Sequence, residues 1–198
     1  MDDHDGLREE RITSERVYDG AILDLDVDTV RLPNGSDSVR EIVRHRGAVV
    51  VFPMHRDRSV VLVNQFRYAT GEVLLEFPAG KLDPGESPRE CAARELEEET
   101  GWSAGALHAL GSFYTTPGFS DEELHVFVAT HLEPAEDCVA DPDEAIEIVT
   151  LTLDELLAAA RDGGIKDGKT LTTLAMARLQ GWIRFRRGSP AYSPSTGQ

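Results

Sequence analysis

A helix whose two ends are both specified by local sequence is the strongest constraint on how this chain folds. Ser87 followed by Glu90 forms a capping box, and Pro88 stands at the first helical position. Gly101 supplies the left-handed residue that commonly ends a helix. The sequence therefore predicts a helix from Pro88 to Thr100.

Carboxylates crowd one face of this helix. At 100° per residue, Glu95, Glu98 and Glu99 share an arc of about 100°, with Arg94 at its edge. Like charges three or four residues apart repel each other, and a hard divalent cation such as Mg²⁺ would compensate them because it prefers carboxylate oxygens. The same run also fits a solvated acidic face, so the helix alone leaves both interpretations open.

Strands outnumber helices in the rest of the chain. The β-branched runs Gly47–Pro53 and Ser59–Phe66 are typical of strands buried on both faces. Further strands are predicted at Val73–Phe77, Leu107–Thr115, Leu124–Thr130 and Ile146–Leu151, and further helices at Leu153–Arg161 and Leu171–Trp182. Because the order of these elements is mixed, we expect an α/β fold in which helices pack on a curved mixed sheet.

A small β unit precedes this domain, and polar segments flank both. In residues 15–44 apolar and acidic residues alternate before the turn signal Pro33-Asn34-Gly35, which predicts a hairpin. Residues 1–14 and 186–198 are polar and rich in helix and strand breakers, so we expect flexible tails there.

The charge balance excludes whole classes of partner. With 20 basic and 36 acidic residues the net charge is −16, which would repel a nucleic-acid backbone. No apolar run approaches the ~18 residues that a membrane span requires. Cys91 and Cys138 form no C-x-x-C pattern, so we expect reduced thiols in a cytoplasmic protein. Such an acidic chain can bind a small phosphorylated anion if a divalent metal and a few arginines reverse the local charge.

The loop before the helix extends the pattern. Gly80 is followed by five residues, Glu86, seven residues and then the run Arg94-Glu95-Leu96-Glu97-Glu98-Glu99-Thr100-Gly101-Trp102. This spelling resembles the Nudix box, G-x5-E-x7-R-E-U-x-E-E-x-G-U, the signature of hydrolases that cleave nucleoside diphosphates linked to another moiety. Trp102, in place of an aliphatic residue, is the one departure. The resemblance implies a Nudix fold, an α/β/α sandwich, over residues 45–185.

The resemblance also implies a set of metal-binding residues. Glu95 and Glu99 would be the chief Mg²⁺ ligands, with Mn²⁺ as a substitute, and Glu98 a further ligand. The supporting residues would be Glu86, near a metal through water, the backbone carbonyl of Ala79, and Arg94, which holds the carboxylates in place.

In this family, the residues that determine which substrate is bound lie outside the Nudix box. Pro117, in the segment 112–122, resembles the marker of the ADP-ribose pyrophosphatase branch, although Pro-Gly by itself also fits a simple turn. Similarity to that branch suggests that Arg67 contacts the diphosphate and Glu122 the terminal ribose. A surface arginine at a strand end and a solvated glutamate are the alternatives.

An acidic loop before the last predicted strand matches the segment from which this branch draws its catalytic base. We take Glu144 as that base, because Glu147 alternates with Ile146 and Ile148 and fits the polar face of a strand. A solvated acidic turn is the alternative for the whole loop.

The segment 163–170 satisfies G-x-x-x-x-G-K-T, the pattern of a phosphate-binding loop. A true example follows an apolar strand, whereas this one follows the helical spacing of Leu153–Arg161. We therefore interpret it as a loop between two helices.

Taken together, the resemblance implies a Mg²⁺-dependent pyrophosphatase that converts ADP-ribose to AMP and ribose 5-phosphate. In the resembling branch an N-terminal β extension, here residues 15–44, helps to form a homodimer. Another sugar nucleotide or dinucleotide, such as GDP-mannose or NADH, is the alternative substrate. A non-catalytic nucleotide sensor is a third possibility, but such proteins commonly lose box carboxylates and gain a basic extension, and neither change is seen here.

Overall fold

The computed structural model describes residues 4–135 and 145–183, within which lie ten strands, three α-helices and a short 3₁₀ helix at Asp5–Leu7. The strands are β1 (Glu10–Asp19), β2 (Asp24–Arg31), β3 (Asp37–Arg44), β4 (Ala48–Pro53), β5 (Ser59–Arg67), β6 (Glu72–Glu76), β7 (Ala79–Lys81), β8 (Trp102–Tyr114), β9 (Glu123–Pro134) and β10 (Ile146–Thr152). The helices are α1 (Pro88–Thr100), α2 (Leu153–Arg161) and α3 (Gly168–Leu179). None of the helices in the described part of the chain is long and apolar enough to cross a membrane.

The predicted mixed sheet is confirmed. Its strand order is β7-β4-β9-β8, with β4 parallel to β9 and the other pairs antiparallel. The structure adds a second, wholly antiparallel sheet of order β10-β5-β6. The sequence did not separate the two sheets, because strand periodicity reports which faces are buried and not which strands pair.

β4 supplies the centre of the core because both of its faces are buried. Val50 and Phe52 pack with residues of β5, α2 and α3, whereas Val49 and Val51 pack against α1. Helices thus lie on both sides of the mixed sheet, as expected of strands with continuous apolar runs.

The predicted helix α1 is confirmed at both ends. Ser87 accepts a hydrogen bond from the backbone N–H of Glu90, whose side chain binds back to Ser87, and Gly101 ends the helix with a φ of 68°. The helix buries Cys91 and Leu96 against the mixed sheet. Glu99 is also buried, and its carboxylate accepts a hydrogen bond from the backbone N–H of Ala79 in β7, so part of the acidic arc faces the sheet.

The N-terminal extension is a three-stranded sheet of order β1-β2-β3. The predicted hairpin is present as β2 and β3, but β1 is added to it and begins at Glu10, before the boundary predicted at residue 15. Every residue of β1 is exposed, so the strand is held by backbone pairing and carries no burial pattern that sequence inspection could detect.

Ion pairs tie this extension together and connect it to the rest of the molecule. Asp26, which is buried, is bound by Arg16 and, at 3.0 Å, by Arg44. Arg44 also lies 3.1 Å from Asp121, whose carboxylate accepts a hydrogen bond from the backbone N–H of His45. Hydrogen bonds from Arg16, and then from Arg44, lower the pKa of Asp26 below its ordinary value.

Asp26→Asn should lower the melting temperature at pH 7, because the ionised carboxylate stabilises the folded state. Since the folded pKa lies below the ordinary value of about 3.9, this stabilisation is complete above that pH and is lost as the pH falls through the folded pKa. The difference in melting temperature between variant and wild type should shrink between pH 5 and pH 2 in thermal unfolding followed by circular dichroism.

Asp37→Asn is the matched control, since Asp37 pairs with Arg31 in the same sheet but is about half exposed. Exposed pairs contribute little, so its effect should be smaller. An Asp26→Asn deficit that stays equal from pH 7 to pH 2 would show that the charge of Asp26 does not stabilise the fold.

Candidate active site

A cavity of about 690 Å³ opens where the mixed sheet, the end of β5 and the start of α3 meet. Three of the residues predicted for the site line it, namely Arg67, Ala79 and Glu122, together with Gly80, the first residue of the box pattern. The end of β8 and the start of α3 complete the wall, through residues that include Phe113, Tyr114, Thr115, Gly168 and Lys169.

Arg94 is the centre of a carboxylate cluster beside this cavity. Its Nε and Nη2 donate to the two oxygens of Glu86 at 2.9 and 3.0 Å, and its Nη1 donates to Glu95 at 2.8 Å and to Glu98 at 2.9 Å. Arg94 thus binds two members of the predicted helical arc, Glu95 and Glu98, and also Glu86 from the loop before the helix. One guanidinium holds three like charges in fixed positions.

Contacts within this cluster shift the pKa values of its residues. Hydrogen bonds from Arg94 lower the pKa of Glu86 to about 2, against an opposing effect of burial. The same contact with Glu86 raises the pKa of Arg94 above its ordinary value. Burial raises the pKa of the Cys91 thiol to about 12, so this cysteine is protonated and unreactive at neutral pH.

Two contacts connect the carboxylate face of α1 to β7. Oε2 of Glu99 accepts a hydrogen bond from the backbone N–H of Ala79 at 3.1 Å. A Cβ placed on Gly80 would lie 1.9 Å from the carboxyl carbon of Glu95. Only glycine therefore leaves room for the Glu95 carboxylate in the position it occupies.

These residues provide the ligands that a hard divalent cation prefers, because carboxylate and carbonyl oxygens suit Mg²⁺. Within the described residues no three acidic, histidine or cysteine side chains converge as a finished metal-ligand group. Arg94 instead bridges Glu95 and Glu98. The donor set fits Mg²⁺, because each of these carboxylates has a second oxygen beside the one that accepts from Arg94, so Arg94 and a cation can bind the same group.

Arg67 lies at the end of β5 and forms a two-bonded pair with Glu76, with N–O distances of 2.9 and 2.7 Å. Glu122 accepts a hydrogen bond from Thr115 at 2.6 Å and has its other oxygen 3.6 Å from Nδ1 of His45. Both side chains line the cavity, as their predicted roles in substrate binding require.

The lining of the cavity does not include Pro117, Arg94 or the box glutamates, which are Glu86, Glu95, Glu98 and Glu99. Pro117 lies in an exposed turn and is absent from the lining. That turn is attached to β3 by a hydrogen bond from the backbone N–H of Val43 to the carbonyl of Phe119, at 2.8 Å. Glu144 lies outside the described residues. Glu147, which we expected on a strand face, lies on β10 and accepts a hydrogen bond from Asn64 at 3.0 Å.

The sequence analysis missed Lys169, and its interpretation of the surrounding segment was wrong in part. The G-K-T residues are not a loop between helices, because α3 begins at Gly168. Asp167 caps the helix by accepting from the backbone N–H of Thr170, which is a local signal that the sequence did contain. Lys169 lines the cavity.

Comparison with known proteins agrees with this geometry. The family model of the NUDIX domain matches residues 44–174, and the model of the nucleoside diphosphate sugar hydrolase N-terminal domain matches residues 9–43. The chain belongs to the Nudix family. The Nudix box then corresponds to β7, α1 and the loop between them.

Several curated Nudix relatives match most of the chain. A methanol dehydrogenase activator of Bacillus methanolicus is 43% identical, covering 91% of this chain and 98% of its own. An ADP-ribose pyrophosphatase of Bacillus subtilis is 41% identical, covering 88% and 95%. A GDP-mannose pyrophosphatase of Yersinia enterocolitica is 38% identical, covering 74% and 81%.

A solved crystal structure of an ADP compounds hydrolase has the same fold. It superposes with a TM-score of 0.77 over 89% of this chain and 98% of its own, at 24% sequence identity. The α/β fold predicted from the sequence is thereby confirmed.

Gly80→Ala should displace the Glu95 carboxylate without unfolding the protein, because the group that must move is the end of a flexible side chain. We expect the affinity for Mn²⁺ to fall by roughly tenfold, as when a supporting group of a metal ligand is removed. The measurement is Mn²⁺ binding by electron paramagnetic resonance, together with the melting temperature.

Gly118→Ala is the control, because a Cβ there meets no atom within 4 Å. Unchanged Mn²⁺ affinity in Gly80→Ala would show that the contact between Gly80 and Glu95 does not position a metal ligand.

Proposed function

We propose that this Nudix protein hydrolyses ADP-ribose to AMP and ribose 5-phosphate with the help of a divalent cation, Mg²⁺ in the first place. The observation that carries the proposal is that Arg67 shares a cavity with Ala79 and Gly80, the two residues that contact Glu99 and Glu95 of the box helix. Relatives named ADP-ribose pyrophosphatase in Bacillus subtilis and Mycobacterium tuberculosis match 88% and 85% of the chain.

Residues of the box would hold the cation. Glu95 and Glu99 are the chief ligands in this proposal, with Glu98 and the carbonyl of Ala79 beside them and Glu86 acting through water. When bound, the cation would act as a Lewis acid on the diphosphate oxygens. Gly80 and Arg94 support the ligands, the first by leaving space and the second by hydrogen bonding.

The chain's other polar residues would position the substrate and move the proton. Arg67 presents a fork of donors, which suits phosphate oxygens, and Glu122 accepts from the hydroxyls of the terminal ribose. Glu144 takes a proton from the attacking water while the phosphorus–oxygen bond of the anhydride breaks in line. One phosphoryl group leaves on adenosine and the other on ribose.

GDP-mannose is the second candidate substrate, and the observation that favours it is a set of relatives. Pyrophosphatases named for GDP-mannose match 71–74% of the chain at 35–39% identity. ADP-ribose remains our first choice because the relatives named for it cover more of the chain, 88% and 85%.

We place the protein in the cytoplasm as a homodimer formed through the N-terminal sheet. Among the described residues β1 is an edge strand of its sheet, and it exposes the apolar residues Ile12, Val17 and Tyr18. An edge strand offers unpaired backbone groups to a second chain, and exposed apolar side chains favour such a contact. Cys91 is buried as a free thiol, as expected in a reducing compartment.

With Mg²⁺ present, purified protein should release AMP from ADP-ribose faster than it cleaves GDP-mannose or NADH. The measurement is product formation by chromatography over this panel, and removal of the cation with EDTA should abolish turnover. Glu99→Gln should keep the melting temperature and lose turnover by orders of magnitude, because a charged metal ligand becomes a neutral amide.

Glu97→Gln is the matched control, since Glu97 lies on the same helix but outside the carboxylate arc. Faster cleavage of GDP-mannose than of ADP-ribose would show that GDP-mannose is the preferred substrate. Full activity of Glu99→Gln would show that Glu99 is not a metal ligand.

Glu144→Gln should reduce the rate of ADP-ribose hydrolysis by about 10²–10⁴-fold, the range typical of losing a general base. Glu147→Gln, three residues along and hydrogen-bonded to Asn64, should retain most activity. The measurement is kcat at saturating Mg²⁺ and substrate. If Glu147→Gln proves the slower variant, the base lies on β10 and not in the acidic loop.

A further inference from the structure

The start of α3 contributes a charged side chain to the cavity. This side chain belongs neither to the Nudix box nor to the predicted substrate contacts. Lys169, in the first turn, lines the same wall as Arg67 and Gly80. It belongs to the G-K-T sequence that the sequence analysis set aside as a chance match. The question is whether this lysine is a structural ion pair or part of the binding site.

The first turn of α3 is fixed against the segment that leads into the Nudix box. Thr170 is fully buried, and its hydroxyl accepts a hydrogen bond from the backbone N–H of Phe77 at 2.9 Å. The same hydroxyl donates to Asp167 at 2.6 Å, and Asp167 also accepts from the backbone N–H of Thr170. The position of Lys169 is therefore defined relative to Ala79 and the rest of β7.

Glu76 holds two cations at once. Its carboxylate is 1% exposed, and Oε2 is shared between Nη2 of Arg67, at 2.7 Å, and Nζ of Lys169. Burial raises the pKa of Glu76, but the hydrogen bonds and charges of Arg67 and Lys169 outweigh it, so the pKa lies below the ordinary value and the group is ionised. Arg67 and Lys169 are thereby held next to each other at the cavity wall.

Lys169 has binding capacity that these contacts do not use. An ammonium group has three protons, and among the described residues Glu76 and Asp167, the latter at 3.1 Å, account for two of them. The side chain is only 15% exposed, so few of its rotamers remain to be lost on binding an anion.

Lys166 shows the contrasting arrangement in the same segment. It pairs with Glu72 at 2.6 Å, its side chain is 62% exposed, and it is absent from the lining of the cavity. An exposed pair of this kind contributes little beyond solubility. The enclosure of Lys169 beside a cavity sets it apart.

We propose that Lys169 binds a phosphoryl oxygen of the diphosphate substrate together with Arg67, and that Glu76 is the positioning residue for both. This deepens the proposed function and rests on it for the identity of the substrate. An arginine fork and a lysine point charge complement each other on a diphosphate, because the first fixes orientation and the second supplies charge.

The role proposed for Lys169 differs from that of a phosphate-binding loop, although segment 163–170 matches the sequence pattern of such a loop. The glycines of segment 163–170 follow α2 rather than a strand. Of the glycines and the G-K-T residues in this segment, Gly168 and Lys169 line the cavity and the others do not. The proposed phosphate contact therefore comes from the lysine side chain, without a glycine loop wrapped around the anion.

Lys169→Met tests the proposal, with Lys166→Met as the matched control. The measurement is calorimetric binding of a methylene-bridged, non-hydrolysable ADP-ribose analogue and of inorganic pyrophosphate, both with Mg²⁺. We expect Lys169→Met to weaken both by about tenfold or more, the usual loss for a charged hydrogen bond. Lys166→Met should stay within about twofold of wild type, and Lys169→Arg should recover much of the lost affinity.

A purely structural lysine would give a different result. Lys169→Met would then lower the melting temperature and leave both dissociation constants within about twofold of wild type, which would overturn the proposal. Lys169→Gln keeps a donor for Glu76 while removing the charge, so it decides the question if the methionine variant does not fold.

The two proposals fail separately. Wild-type protein that does not hydrolyse ADP-ribose would refute the proposed function. Binding of inorganic pyrophosphate by wild type and Lys169→Met would still decide whether Lys169 contacts phosphate.

Discussion

Repulsion among the carboxylates of α1 is the constraint around which this structure is arranged. Glu95, Glu98 and Glu86 lie close enough to share one guanidinium, that of Arg94. Such a group of like charges is unfavourable unless positive charge is supplied. Arg94 supplies it in the described structure, and a divalent cation would supply more. A folded chain that keeps so many acidic groups together is suited to bind a cation with an anionic substrate.

The fold places this helix beside β7, and this placement brings the carboxylates of the helix next to the residues of β7 that line the cavity. The parallel pairing of β4 and β9 forms a rigid central sheet, and β7 pairs with the edge of β4 through three residues. Ala79 then meets Glu99, and the absence of a side chain at Gly80 admits Glu95. Arg67 and Lys169 bring positive charge to the same cavity.

The N-terminal sheet has a role beyond its exposed edge. Arg44 joins Asp26 within the sheet to Asp121 in the main domain, and β3 is hydrogen-bonded to the turn around Phe119. Glu122, which follows this turn, lines the cavity. The extension thus fixes the segment that contributes a candidate ribose contact, which gives a physical reason for the extension and the Nudix domain to occur in one chain.

Local sequence determined α1, since its cap, its first proline and its final glycine act within a few residues of one another. It also determined the apolar strands and the acidic arc of α1, because the positions of Glu95, Glu98 and Glu99 follow helical spacing. Tertiary structure decided the partners across the sheets, the third N-terminal strand and the place of Lys169. Those depend on backbone pairing and on contacts such as Lys169 with Glu76, 93 positions apart, which no local pattern encodes.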